Sequence, residues 1–233
     1  MQGSVFVIES GTDGSGKATQ TNLLYERLKS EGYKVMKVSY PNYNSDSSAL
    51  VKMYLRGDFG KKADDVDAYI ASTFYAADRY ASYKSEWEEF YKNGGIIIAD
   101  RYTTSNMVHQ ASKMNDIDQR NSFLDWLDKY EYDLYKLPRP KKVFFLDVPV
   151  EVSQDLIKDR NNKFTNDSQK DIHESDVDYL KKTYENSKFV ADKYQWNIVN
   201  CIGQDGQIKS VDKIHQEIYS KVVSDINRLS KEV

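Results

Sequence analysis

Five short apolar runs recur along the 233-residue chain: Val-Phe-Val-Ile at 5–8, Val-Met-Lys-Val at 35–38, Ile-Ile-Ile-Ala at 96–99, Val-Phe-Phe-Leu at 143–146 and Ile-Val at 198–199. They are rich in β-branched and aromatic residues and too short for buried helices, so each predicts a strand. Longer amphipathic stretches separate them and predict helices over 18–31, 64–92, 117–137, 150–160, 176–194 and 211–229. Within 64–92, Val66, Tyr69, Ile70, Thr73, Phe74 and Ala77 fall on one stripe, and Asn93-Gly94-Gly95 ends the helix. Pro138-Arg139-Pro140 ends the stretch 117–137. Doubly buried strands alternating with helices predict an α/β protein with a five-stranded parallel sheet flanked by helices. No stretch reads as a linker and no segment repeats, so residues 1–233 are read as one domain. The segment 161–175 departs from the pattern: it is polar and turn-rich, the composition of a mobile surface insert in the position of a lid.

Composition narrows the function. Hydrophobic residues make up 39% and charged residues 30%, as in a soluble globular protein with a sizeable core. A net charge of −3 argues against a dedicated nucleic-acid binder. The N-terminus leads straight into the first strand with no basic leader, and no run is long enough to span a bilayer. The single cysteine, Cys201, excludes an internal disulfide and fits a cytoplasmic location.

The chemistry begins directly after the first strand, at Gly11-Thr12-Asp13-Gly14-Ser15-Gly16-Lys17. A glycine-rich turn between strand and helix wraps its amides around phosphate, and the helix dipole favours the negative charge. Lys17 reaches the outer phosphates, and Ala18 and Thr19 continue the donor-binding stretch. The usual motif places Ser or Thr directly after the lysine to hold magnesium; here that residue is Ala18. Thr19 points about 100° away on a helix, so Mg2+ needs Asp13, Asp100 or additional waters. Asp100-Arg101-Tyr102 follows the third strand, at the sheet edge where doubly wound folds bind ligands. Asp100 is therefore the candidate metal residue, acting directly or through water, and Arg101 a candidate anion contact. Tyr75 and Arg79 are four apart on a predicted helix, an aromatic ring and a guanidinium on one face that suit a nucleobase and its phosphate.

In this order the pieces resemble the thymidylate kinase family of P-loop nucleoside monophosphate kinases, along nearly the whole chain. The resemblance rests on the loop with Asp13, the pair Tyr40-Pro41, the Tyr75–Arg79 helix, Asp100-Arg101-Tyr102 and Phe145-Leu146-Asp147-Val148-Pro149. It implies a three-layer kinase fold with a short lid, transfer of phosphate from ATP to dTMP, and a homodimer packed through helices that include 64–92. It further implies that Asp13 approaches the sugar and phosphates of the monophosphate. Tyr75 would stack on thymine, Arg79 would touch the base or the acceptor phosphate, and Arg101 the acceptor phosphate. Ser105, Asn106, His109 and Gln110 would continue the pocket, His109 standing where tyrosine is frequent. Arg160 resembles the first lid arginine and would stabilise the transferred phosphoryl group, with Lys163 beside it.

Three positions depart from the family pattern. Tyr43 stands where the family usually carries an arginine, Gly14 where some members have one, and Asp171-Ile172-His173-Glu174 lacks a later lid arginine. Two other readings therefore stay open: a kinase for another nucleoside monophosphate or a nucleoside, motivated by Tyr43, and a weakened nucleotide-binding module, motivated by Ala18. No Asn-Lys-x-Asp signature supports a GTPase.

Overall fold

The computed structural model describes residues 2–157 and 177–229. The predicted lid at 161–175, with Arg160 and Lys163, lies outside the described residues. The predicted strands form as β1 (Ser4–Glu9), β2 (Val35–Ser39), β3 (Ile96–Asp100), β4 (Lys142–Asp147) and β5 (Asn197–Asn200). They pair in parallel in the order β2-β3-β1-β4-β5, with β1 central.

Alternation along the strands builds two cores, one on each face. Val5, Val7, Ile97, Ala99 and Val143 point to one face; Phe6, Ile8, Ile98, Phe144 and Leu146 point to the other. The second face is covered by α1 (Lys17–Ser30) through Leu24 and Leu28. Beside it α9 (Val211–Leu229) presents Ile214, Ile218, Val222 and Ile226, each four residues from the last. The first face is covered by α3 (Ala68–Ser82), α6 (Ile117–Asp128) and α8 (Val177–Lys193). No helix among the described residues is long and apolar enough to cross a membrane.

The helix predicted to begin at 64 starts instead at Ala68. Asp67 caps it, its carboxylate accepting from the Tyr69 amide (2.8 Å) and the Ile70 amide (3.3 Å), which fixes the first turn there. It continues through a π turn at Tyr83–Trp87 into α4 (Glu88–Lys92). Its apolar stripe also divides. The buried side of α3 is small or polar (Ala68, Ala71, Ser72, Ala76, Asp78, Arg79 and Ser82), while Ile70 is 53% exposed. Two short helices carried too little periodicity to be predicted: α2 (Ala49–Leu55) and α5 (Thr104–His109). Helix α6 runs on into a π turn at Lys129–Leu134. The remaining described helix, α7 (Val150–Ile157), follows β4.

Candidate active site

β1 ends at Glu9 and the chain turns into α1 within a few residues. The turn needs left-handed backbone at Gly14 (φ 76°) and Gly16 (φ 88°), where a side chain would be strained. Gly16 caps α1, so the free amides and positive end of the helix open onto the loop. Gly11 is a glycine for another reason: a Cβ there would fall 2.2 Å from Ser187 Oγ on α8. Gly11 and Thr12 form the back of the loop, where Thr12 is buried and donates to the Val148 carbonyl (3.4 Å). Residues 13–19 instead line a cavity of about 740 Å³ at the carboxyl edge of the sheet.

Lys17 lies inside this corner. Its Nζ donates to Ser10 Oγ (2.7 Å) and to the Thr12 carbonyl (2.8 Å), and stands 3.8 Å from the Asp13 carboxylate. Burial, then the charge of Arg101, push its pKa down to about 8 against the pull of Asp13, Glu9 and Asp100. Arg101 follows β3 in a left-handed conformation (φ 64°), held by its amide donating to the Ile8 carbonyl (3.2 Å). Its guanidinium donates to Asp13 and lies 3.0 Å from His109 Nε2 and 3.8 Å from Glu9. Burial opposes that charge, but the carboxylates of Asp13, Glu9 and Asp100 outweigh it and raise the arginine above its ordinary value.

The acceptor-side candidates converge on the same cavity. Tyr40, Pro41, Tyr75, Arg79, Asp100, Ser105, Asn106, His109 and Gln110 all line it. The Tyr75 ring meets Tyr54 edge-on (6.3 Å between centroids). Arg79 is 1% exposed and is gripped by the fully buried Glu131: Nε donates at 2.9 Å and Nη2 donates to the other carboxylate oxygen. Glu131 also accepts from Asn106 Nδ2 (3.1 Å), tying the arginine to α5. This arrangement leaves Nη1 without a hydrogen bond among the described residues. Asp100, at the end of β3, likewise has a carboxylate with no hydrogen bond among the described residues. Of the predicted site residues, Gly11 and Thr12 sit behind the cavity and Arg160 lies outside the described residues; the others meet at one place.

Several contributors carried weaker signals. Glu9 is fully buried, accepting from the Ser10 amide (3.0 Å), Thr104 Oγ1 (2.8 Å) and Ser105 Oγ (2.6 Å). It thereby joins the phosphate loop to α5, and an acid closing an apolar strand was the available clue. Glu131 lies within the π turn after α6, so the helical spacing of its neighbours does not reveal where it points. Gln20 from α1, Leu156 from α7, and Ile208, Lys209, Ser210, Val211 and Ile214 from the β5–α9 connection and the start of α9 also line the cavity. Local sequence does not mark them.

A phosphate loop on a 2-3-1-4-5 parallel sheet, facing a second polar subsite across one cavity, defines a P-loop phosphotransferase architecture. The thymidylate kinase family model matches residues 8–218. The probable thymidylate kinase of Thermococcus onnurineus is 29% identical over 228 residues, 95% of this chain and 98% of that protein. The thymidylate kinase of Plasmodium falciparum is 24% identical over 217 residues, 93% of this chain and 89% of that protein. Among solved structures, thymidylate kinase from Candida albicans superposes with a TM-score of 0.69 at 19% identity, covering 97% of this chain and 93% of that one. The Ehrlichia chaffeensis enzyme gives 0.64 at 21% identity, over 95% and 100%. The chain belongs to the thymidylate kinase family.

Proposed function

We propose that this protein transfers the γ-phosphoryl group of ATP to dTMP, giving dTDP and ADP. The observation that carries the reading is the meeting of Lys17 and Arg101 across Asp13 in one cavity, with the phosphate loop on one side and a base-sized subsite on the other. The loop amides and Lys17 take the donor phosphates, and Arg101 takes the acceptor phosphate. The shared Asp13 sets the spacing of the two cations and approaches the acceptor sugar. Such transfer depends on positioning and charge neutralisation more than on covalent chemistry.

The base subsite favours thymine by its hydrogen-bonding inventory. Arg79 offers Nη1 as a donor, its charge already balanced by Glu131, and Gln110 has a buried Oε1 without a hydrogen-bond partner. A donor and an acceptor in the lining of one cavity match the O4 and N3–H edge of thymine; cytosine presents the reverse pair. Tyr75 supplies the stacking face, with Tyr40, Pro41, Ser105, Asn106 and His109 completing the walls.

Magnesium fits the residues present. The described residues hold no cluster of three or more His, Cys, Asp or Glu side chains for a metal, and magnesium with ATP needs none, because phosphates and waters supply most of its ligands. Asp100, with its carboxylate uncommitted, and Asp13 would hold the ion through water, compensating for Ala18. Bound there, it would neutralise charge on the transferring phosphate. Arg160 is assigned, by family resemblance, to the same charge on lid closure, with Lys163 as a second cation.

We assign a homodimer through the outer face of α3. Ile70 is 53% exposed, Tyr80 39%, and Phe59 (39%) packs its ring against Phe74 at 5.7 Å. Such a face is costly to leave in water and is suited to a second copy. Cys201 is buried and unpaired, which suits the cytoplasm.

The test is ADP release coupled to NADH oxidation, with Mg2+, ATP and each of dTMP, dCMP, dAMP and dGMP. The highest kcat/KM should fall on dTMP. A higher value for dCMP or dAMP overturns the assignment of the acceptor, and ATP binding without transfer overturns the kinase reading.

A further inference from the structure

Tyr75 stands on a core of its own. Besides the two cores of the sheet, Val51, Tyr54, Leu55, Val66 and Ala71 bury a small third one, against which Tyr43, Phe74 and Tyr75 pack. Tyr54, from α2, sets its ring at 89° to that of Tyr75. Its hydroxyl has a single proton and gives it to the Ala63 carbonyl (3.1 Å), so it meets any further neighbour only as an acceptor. That neighbour is Lys113, in the short turn Ala111–Lys113 that follows α5. Lys113 Nζ donates to the Tyr54 hydroxyl (3.1 Å) and to the Val66 carbonyl (2.8 Å), both residues of the small core. Its backbone amide donates to the Gln110 carbonyl (3.2 Å). Burial pushes its pKa down to about 8 and outweighs the charges of Asp64 and Asp67. A cation kept there at a cost, on two neutral oxygens, needs a use that an apolar side chain of the same length would not serve.

We propose that Lys113 is a positioning residue for base recognition: through Tyr54 it fixes the stacking ring of Tyr75 against the hydrogen-bonding edge at Gln110, and so sharpens the choice of thymine over cytosine. Every base has a flat face to stack, so the choice rests on how firmly the groups that meet its edge are held. Tyr75 and Arg79 share α3, whereas Gln110 follows α5, and their spacing is set across the small core. Asn106 supplies one tie between α5 and α3, its Nδ2 donating to the Ser72 carbonyl (3.2 Å). Lys113 supplies a second, beyond Gln110, so that Gln110 lies between two ties and cannot pivot about one. A misplacement of about 1 Å at such a site costs on the order of 100-fold in rate. The inference deepens the kinase reading and rests on it for the acceptor base.

The experiment measures kcat/KM for dTMP and for dCMP, with ATP and Mg2+, in the full-length protein. Lys113→Met keeps the length of the side chain and removes the ammonium. It should narrow the dTMP-over-dCMP ratio by roughly tenfold, chiefly through a higher KM for dTMP, with KM for ATP unchanged. Tyr54→Phe keeps the ring in the small core and removes only the hydroxyl; it should narrow the ratio by about threefold or more. The double variant should be no worse than Lys113→Met alone, because the two residues act through one contact. A role confined to stability would lower Tm and leave the ratio alone. An unchanged ratio in Lys113→Met, or effects of the two changes that multiply in the double variant, overturns the proposal. If Lys113→Met fails to fold, Tyr54→Phe decides by itself, an unchanged ratio again overturning it. If the wild type transfers no phosphate, the kinase reading fails, and calorimetric titration of dTMP and dCMP into the wild type and Tyr54→Phe decides the role of Lys113 on the ratio of affinities. Binding of neither nucleotide overturns both readings.

Discussion

Glu131→Gln removes the counter-charge of Arg79 with almost no change of shape. The side chains of the pair are 1% and 0% exposed, so solvent cannot take over the neutralisation. The amide can accept from only one of the two guanidinium N–H groups and turns a donor against the other. Breaking a buried pair from one side costs about 3–5 kcal/mol, because the surviving charge stays buried. For a chain of this length each kcal/mol is worth about 2–4 °C, so Tm should fall by roughly 6–20 °C. Calorimetric titration of the folded variant at low temperature should show weakened dTMP binding, since Arg79 and Asn106 both lose the carboxylate that orients them. The double variant Arg79→Met/Glu131→Met separates charge from packing: it should recover most of the stability while losing discrimination between dTMP and dCMP. A Tm within about 3 °C of wild type for Glu131→Gln would refute the reasoning, because it would mean that the charge is compensated elsewhere.

Lys17 titrates near pH 8 in the free protein, so ATP affinity should be flat at lower pH and fall as pH rises through 8, where the ammonium is lost. The linked stability has the opposite sign. The folded pKa lies below the unfolded 10.5, so the cost of burying the charge is relieved between about pH 8 and 10.5; pH-dependent ATP titrations and melts check the two effects. Ala18→Thr restores a hydroxyl where magnesium is normally held, and should lower the Mg2+ concentration for half-maximal turnover; an unchanged requirement would show that Asp100, Asp13 and water already suffice. Ile70→Asp places a charge in the exposed face of α3 and should convert the proposed dimer to monomer in sedimentation, leaving Tm of the monomer within about 2 °C; a wild type that sediments as a monomer would overturn the dimer proposal.

The strands were legible because β-branched runs buried on both faces leave little else for them to be. Lys17, Asp100 and Arg101 were legible because the ends of parallel strands meet at one sheet edge, so local motifs there imply a common place. The face of α3 was not. Its apolar stripe suggests the core, yet the buried side is alanine, serine, an aspartate and an arginine, and Glu131 supplies the arginine's partner from 52 residues away. Asp67, not Asp64, sets the start of that helix, since only its carboxylate reaches the first free amides. Gln20 and residues 208–211 become neighbours only through the packing of α9 on α1, a contact that short-range pattern does not encode.

The most direct test of the two-sided cavity is a crystal structure with dTMP and a non-hydrolysable ATP analogue bound together. The triphosphate should lie against residues 13–19, the monophosphate on Arg101, and the O4 and N3–H edge of thymine on Arg79 and Gln110 beside Tyr75. A thymidine monophosphate with its phosphate in the loop at Lys17, or with its base away from Arg79, would contradict this arrangement.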